Sequence, residues 1–377
     1  MRRIQINPRP DWQKKVEETG LVFHTAGGVP YWDESAYYEF SMAEVLEIEK
    51  ATNELSRMCI EAARAVIEGN RLAELKIPET VWEPIWDAWE NEPPSIYGRF
   101  DLACDGNGSI KLLEFNADTP TSLLEAAVAQ WFWLQETRPR KDQFNSIHER
   151  LVKKWEELKP RLDGGTLHFG YVDDPEDVMT ATYLRDTAQQ AGIKTDSILM
   201  GEIGWDGGKR RFVDMNNKPI DAIFKLYPWE WLVHERFAPE LIESYRSTQW
   251  IEPIWKMVLS NKGILPVLWE LYPDHPNLLE AHFGDPHGMK EYARKPLLSR
   301  EGANVSLRGA EGVTETAGEY GQEGFIYQKL AQLPVFDGMR PVVGSWLVDW
   351  EAAGMGIRES TGPITDNLSR FVPHLIG

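Results

Sequence analysis

From Phe40 to about residue 75, apolar residues recur at helical spacing, and the run opens at Ser41 with Glu44 three positions later. A Ser and a Glu at that interval form a capping box, so a long amphipathic helix is predicted to begin there. The same period returns over 79–91, 121–135 and 142–158, while 97–116 alternates as a β-hairpin does. From about 166 the texture changes. LHFGYVD reads as a strand, PEDVMTATYLRDTAQQAGI as a helix and KTDSILMG as a second strand, a β-α-β unit of Rossmann type. A hairpin-like stretch around Gly207-Gly208 and the strand AIFKLYP follow, then helical patterns over 229–247 and 255–272. The last third alternates strands with glycine-rich turns: EYARKPLL, REGANVSL, GFIYQKL, PVVGSWLVD and AAGMGIRE. The mixture predicts an α/β (α+β) chain with segments at 1–160, 165–250 and 255–377.

At 377 residues the chain is long enough for two or three closely packed lobes. No run of about 18 apolar residues occurs, so no membrane span is expected. The basic start MRRIQINPRPDWQKK has no apolar segment behind it, unlike a secretory signal. Two cysteines, Cys59 and Cys104, cannot build a disulfide framework, which fits a reducing, cytoplasmic setting. The net charge of −19 repels phosphate backbones and argues against a nucleic-acid partner. Sixteen tryptophans fall largely at helical spacing, as at Trp82, Trp86 and Trp89, and read as core packing.

Chemistry concentrates in YGRFDLACDGNGSIKLLEFNADTPTSL, residues 97–123. Asn107-Gly108 suits a two-residue type I′ turn, whose central positions both need φ > 0. With that turn, Asp101 faces Glu114 and Arg99 faces Asn116, and directly opposed residues share a face of the sheet. Phe100, Leu102, Cys104, Leu113 and Phe115 then form the core face, with Lys111 the exception. Two carboxylates and an amide oxygen make a hard-oxygen set suited to magnesium, and the neighbouring arginine suits phosphate. A solvated outer face with cross-strand ion pairs explains the hairpin equally well. A turn at Asp105-Gly106 would shift the register.

RFD, LLEFNAD and the Thr/Ser-rich segment after them resemble the synthetase domain of the glutathionylspermidine synthase family. The resemblance continues in order through SNKGILPVLWEL, RKPLLSREGANV, YQKL and GMGIRE, and includes PDWQKKVEETGLVFHTAGGVPYWDESAYY near the start. It is nearest to stand-alone bacterial homologues without the amidase domain, making 1–377 one synthetase unit. It implies an ATP-grasp fold, with a Rossmann-like pre-ATP-grasp substrate lobe and antiparallel sheets that clamp ATP. It further implies an ATP- and Mg2+-dependent ligase joining a small-molecule or peptide acid to an amine. The same residues would also serve a carboxylate kinase, or a nucleotide-binding protein without turnover.

Residue by residue, the resemblance assigns Asp101, Glu114 and Asn116 to the metal, and Arg99 and Arg358 to phosphate and catalysis. It places Lys262 and Lys295 on the ATP phosphates and Gln328, Lys329 and Leu330 beside adenine. Ile364 and Thr365 would border the nucleotide. The loop 299–310, with Arg300, Gly302 and Gly309, is the expected lid. Thr119, Glu176, Asp177, Leu226 and Arg300 fall at substrate positions. Leu226 replaces a small hydroxyl residue, and Arg370 stands where the family carries an acid for the amine. Oligomeric state is not readable.

Overall fold

The computed structural model describes residues 1–310, 312–366 and 369–377. The long helix spans Met42–Glu68, and its capping box forms as predicted: Ser41 N–H donates to Glu44 Oε2 at 2.8 Å while Glu44 N–H donates back to Ser41 Oγ. It ends at Gly69, short of residue 75, because Asn70 turns left-handed at φ 56°. Its buried stripe, including Val45, Ile48, Leu55 and Val66, packs on the helix Ile264–Leu271 and the strand Glu351–Ser360.

A central antiparallel sheet runs Arg370–Val372, Glu351–Ser360, Arg340–Val348, Tyr97–Cys104, Ile110–Asn116, so the predicted hairpin forms one edge. A second antiparallel sheet runs Ala281–Phe283, Phe325–Lys329, Tyr292–Pro296, Ser306–Gly309, Gly312–Glu315. A parallel sheet orders Gln249–Ile251, Ala222–Lys225, Leu167–Tyr171 and Thr195–Leu199, and the helix Pro175–Gln190 joins its last two strands. The Rossmann-type unit is thus present. A fourth sheet, mixed and unforeseen from the pattern, ties Arg2–Gln5 and Ala36–Phe40 to the C-terminal strand His374–Ile376.

Two predicted helices are broken. The pattern over 229–247 becomes Trp229–Leu232, Ala238–Glu243 and a short turn at Tyr245–Ser247. Pro239 sits in the first turn of the middle piece, where its missing N–H costs nothing but continuity with the helix before it is lost. The pattern over 255–272 breaks at Asn261, whose Oδ1 accepts from Gly263 N–H at 2.8 Å in an Asx turn. The REGANVSL strand is confined to Ser306–Gly309, since Glu301, Gly302 and Asn304 are left-handed. Among the described residues no helix is long and apolar enough to cross a membrane. Cys59 and Cys104 are buried and unpaired.

Candidate active site

The hairpin reaches its expected pairing by a different route. Arg99 faces Asn116 and Asp101 faces Glu114, but nearer the tip Leu102 faces Leu112 and Cys104 faces Ile110. The loop is Asp105–Ser109, with Asp105 Oδ1 accepting from Asn107 N–H (2.7 Å) and Ser109 N–H (3.0 Å). Gly106 and Gly108 take positive φ rather than Asn107 and Gly108. The resulting shift of one residue is undone by a bulge at Leu113. Leu112 therefore joins the core, and Leu113 faces the cleft instead of the core.

That cleft, about 670 Å³, lies between the two five-stranded antiparallel sheets. All four hairpin residues line it. Arg99 forks onto Asp101, Nε to Oδ1 at 2.7 Å and Nη2 to Oδ2 at 3.2 Å, and its Nη1 donates to the Thr121 carbonyl. Arg358 Nη2 reaches the same Asp101 Oδ2 at 3.3 Å. Burial opposes the charge on Arg99, but Asp101 and Glu114 outweigh it and hold the guanidinium protonated. Gly344 makes room for this arginine, since a Cβ there would lie 3.0 Å from Arg99 Cδ.

Lys262, freed from the helix by the Asn261 turn, donates to the Ser299 carbonyl (2.8 Å) and lies 3.3 Å from Glu114 Oε2. Lys295 donates to the Leu113 carbonyl (2.8 Å) and Gln328 Oε1 (2.7 Å). Burial pushes the Lys295 ammonium down to about 8, against the attraction of Glu114 and with the help of Lys262. Burial works against the Glu114 carboxylate too, yet Lys262, Lys295 and Arg99 hold it well below the usual carboxylate range. Gln328 spends its amide on Lys295 and the Leu112 carbonyl (3.0 Å), so its side chain braces the lysine.

Lys329, Leu330, Ile364 and Thr365 also line the cleft, where Leu307, Val335 and Val342 give it an apolar end. Val335 is 55% exposed. Gly302, at φ +70°, packs on the 364–365 segment: a Cβ would meet the Thr365 carbonyl oxygen at 2.7 Å. Arg300 does not turn toward the lysines. It spans the cleft to Thr119 Oγ1 (2.9 Å) and Glu230 Oε1 (3.5 Å), with its guanidinium 5.5 Å from the Trp231 ring centre.

Glu176 and Asp177 occupy the first turn of the helix Pro175–Gln190, beside rather than within the lining. Burial raises both carboxyls, Asp177 to about 7 with Glu176 and Asp174 adding to it, while a Thr121 hydrogen bond and Arg358 temper Glu176. Leu226 is not brought to the cleft. It is 2% exposed in the apolar core around Phe169 and Phe224, held by its N–H on the Gly170 carbonyl. Arg370 is not a free cation either, being paired with Asp33 Oδ2 at 2.8 Å.

Sequence reasoning missed Asp118, which lines the cleft two residues after Asn116 and carries a buried ion pair with Lys225 and a bond from Trp229 N–H (2.9 Å). Its place in the EFNAD motif was the available signal. Glu230 gave none beyond its place between Trp229 and Trp231. No group of three or more His, Cys, Asp or Glu suited to a metal exists among the described residues. Asp101, Glu114 and Asn116 do bring two carboxylates and an amide to one wall of the cleft, with both Asp101 oxygens bonded to Arg99 and Arg358 and Glu114 beside Lys262.

In shape the chain is similar to a glutathione synthetase-like effector from Globodera pallida in its apo form, with a TM-score of 0.62 over 97% of this chain and 95% of that one at 9% identity. With two antiparallel sheets meeting at a cation-lined cleft, the fold is ATP-grasp, and the sequence relatives make the chain an ATP-dependent ligase. The profile described as glutathionylspermidine synthase preATP-grasp matches residues 3–377, and the chain belongs to that family. A Haemophilus influenzae protein provisionally described as an acid–amine ligase is 41% identical over 392 residues, 99% of each chain. The bifunctional glutathionylspermidine synthetase/amidase of Escherichia coli is 28% identical over 93% of this chain and 61% of its own. Trypanothione synthetase of Crithidia fasciculata is 28% identical over 82% of this chain and 51% of its own.

Proposed function

We propose that the chain is an ATP- and magnesium-dependent acid–amine ligase that forms an amide by way of an acyl phosphate. One observation carries this reading: Arg99, Arg358, Lys262 and Lys295 converge with Asp101, Glu114 and Asn116 on a single cleft. Four cations so close to two carboxylates leave a surplus of positive charge that a polyphosphate would neutralise. Asp101, Glu114 and Asn116 would hold the magnesium ion, whose charge offsets that on the phosphates.

Lys262 and Lys295 grip the phosphates, exchanging backbone carbonyl partners for phosphate oxygens, and the apolar end at Leu330 and Val335 takes the adenine. Arg99 and Arg358, already aligned on Asp101, would orient the substrate carboxylate for in-line attack on the γ-phosphate and stabilise the charge that develops. The loop 299–310 covers the reaction and keeps water from the acyl phosphate. Arg300 and Thr119 suit a peptide-like acid. Glu176 and Asp177 offer negative charge to a cationic amine, and the Arg370–Asp33 pair removes the repulsion that Arg370 alone would exert. A cytoplasmic setting agrees with the two buried thiols.

The test is ADP release measured with panels of acids and amines. A ligase needs both substrates for full turnover and loses it in Arg99→Ala and Asp101→Ala. Equal ADP release with the acid alone would identify a carboxylate kinase, and none under any mixture would leave a nucleotide-binding protein.

A further inference from the structure

Beside Arg358, outside the groups used above, a chain of three buried side chains ends in a carboxylate. Glu125 is 2% exposed. Its Oε1 accepts from the Tyr31 hydroxyl at 2.8 Å, and the Tyr31 oxygen lies 2.9 Å from Ser122 Oγ. The direction of this chain follows from the hydrogens available. Tyr31 has a single hydroxyl hydrogen, and an ionised Glu125 can only accept it. The Ser122–Tyr31 bond must then use the serine hydrogen. Both hydroxyls donate toward Glu125, and Ser122 keeps its acceptor side for a donor beyond.

The local backbone is unusual where the chain starts and ends. Ser122 holds φ +66°, a conformation that costs a non-glycine residue and persists where surroundings impose it. Glu125 opens a π-helical turn, Glu125–Ala129, a form that recurs at functional positions. Ser122 directly follows Thr121, which lines the cleft and whose carbonyl binds Arg99.

Amide formation has a proton to dispose of. An ammonium ion loses two protons in becoming the amide nitrogen. The phosphate leaving the acyl carbon carries one away, and the other needs an acceptor. We propose, resting on the ligase reading above, that Ser122 and Tyr31 conduct this second proton to Glu125: the ammonium N–H bond breaks, the proton enters at Ser122 Oγ, and the Glu125 carboxylate becomes a carboxylic acid. Glu125 is suited to this exchange. Burial and the nearby Glu176 charge raise its carboxyl to about 7, against the lowering effects of its own backbone, Tyr31 and Arg358. Such a group accepts a proton during turnover at neutral pH and gives it back afterwards. Since Glu125 acts through two hydroxyls, it is a positioning residue for the proton and not a contact of the substrate.

The test compares Glu125→Gln and Tyr31→Phe with the unaltered chain, using whichever acid supports turnover and two nucleophiles, spermidine and hydroxylamine. Hydroxylamine is largely unprotonated at neutral pH and has one proton fewer to lose before attack. The expected result is a fall in the ratio of spermidine to hydroxylamine rates, by roughly 100-fold in either variant. The share of the acid limb near neutrality that Glu125 sets in the spermidine pH profile should vanish with it, leaving the share set by Asp177. Equal losses with both nucleophiles, or no loss, would overturn the proposal. Infrared titration supplies a readout without substrates: a protonated-carboxyl band that appears as pH falls through about 7, that Glu125→Gln diminishes, and whose remainder Asp177→Asn removes. Absence of that band also overturns the proposal. If the unaltered chain turns over no acid with either nucleophile, the ligase reading has failed, whatever the infrared shows.

Discussion

Asp101 and Glu114 stand directly opposite each other because two departures from a regular hairpin cancel. The five-residue loop moves the pairing by one, and the extra residue at Leu113 moves it back. A β-strand alternates faces, so without the bulge Glu114 and Asn116 would turn away from the cleft.

Deleting Leu113 should therefore abolish the site while leaving the fold recognisable. ATP-dependent turnover is expected to fall by roughly 100-fold or more, since charge-stabilising groups lose their aim. Leu113→Ala keeps the register and should lose far less. Thermal shift with ATP and magnesium checks the binding side: stabilisation disappears in the deletion and survives in the alanine variant.

Lys295 links nucleotide affinity to pH. Its ammonium loses its proton at about 8, so ATP should bind progressively more weakly as pH rises through that value, with proton uptake on binding. Calorimetry in buffers of different ionisation enthalpy measures that uptake, and Lys295→Met should abolish it. The stability of the unliganded chain moves the other way. The unfolded lysine holds its proton up to 10.5 while the folded one does not, so the cost of burying this ammonium, full below about 8, is relieved as pH rises from about 8 to 10.5.

Arg300 couples the loop 299–310 to Thr119 and Glu230 across the cleft. Arg300→Ala should speed hydrogen exchange in that loop and let water reach the activated acid. ADP release would then exceed amide formation, a ratio readable by coupled assay and product quantification. Gly302→Ala is expected to hold the loop away from Thr365, combining a left-handed backbone with a contact at 2.7 Å.

A buried pair joins the parallel sheet to the hairpin. Glu252 accepts from Ile96 N–H (2.8 Å), Tyr97 N–H (3.1 Å) and Lys256 Nζ (2.7 Å), and Lys256 also donates to the Tyr97 carbonyl at 2.7 Å. Lys256→Met leaves Glu252 buried without its cation and should destabilise the chain by about 3–5 kcal/mol. Urea unfolding measures it, with the slope unchanged if the folded form is retained.

The sequence by itself determined the elements whose cause is local. Ser41 and Glu44 started the long helix, the β-α-β period announced the parallel sheet, and alternation on either side of Asp105–Ser109 announced the hairpin. It also supplied the ordered motifs that carry the family, and with them most residues of the cleft. Tertiary structure decided what local pattern cannot encode. The Leu113 bulge is held by groups from far along the chain: Leu112 N–H goes to the Asn277 carbonyl, and Lys295, 182 residues away, takes the Leu113 carbonyl. Pro239 and Asn261 were visible breakers whose effect the apolar period concealed. Leu226, read as a substrate residue from its motif, went to the core because it follows the strand Ala222–Lys225 into the apolar cluster that Phe169 and Phe224 form with Trp155 of a packing helix. Asp118 and Glu125 look like ordinary acids in sequence; only burial against Lys225 in one case, and beneath Tyr31 in the other, gives them chemistry, because desolvation and partners come from segments that folding alone brings together.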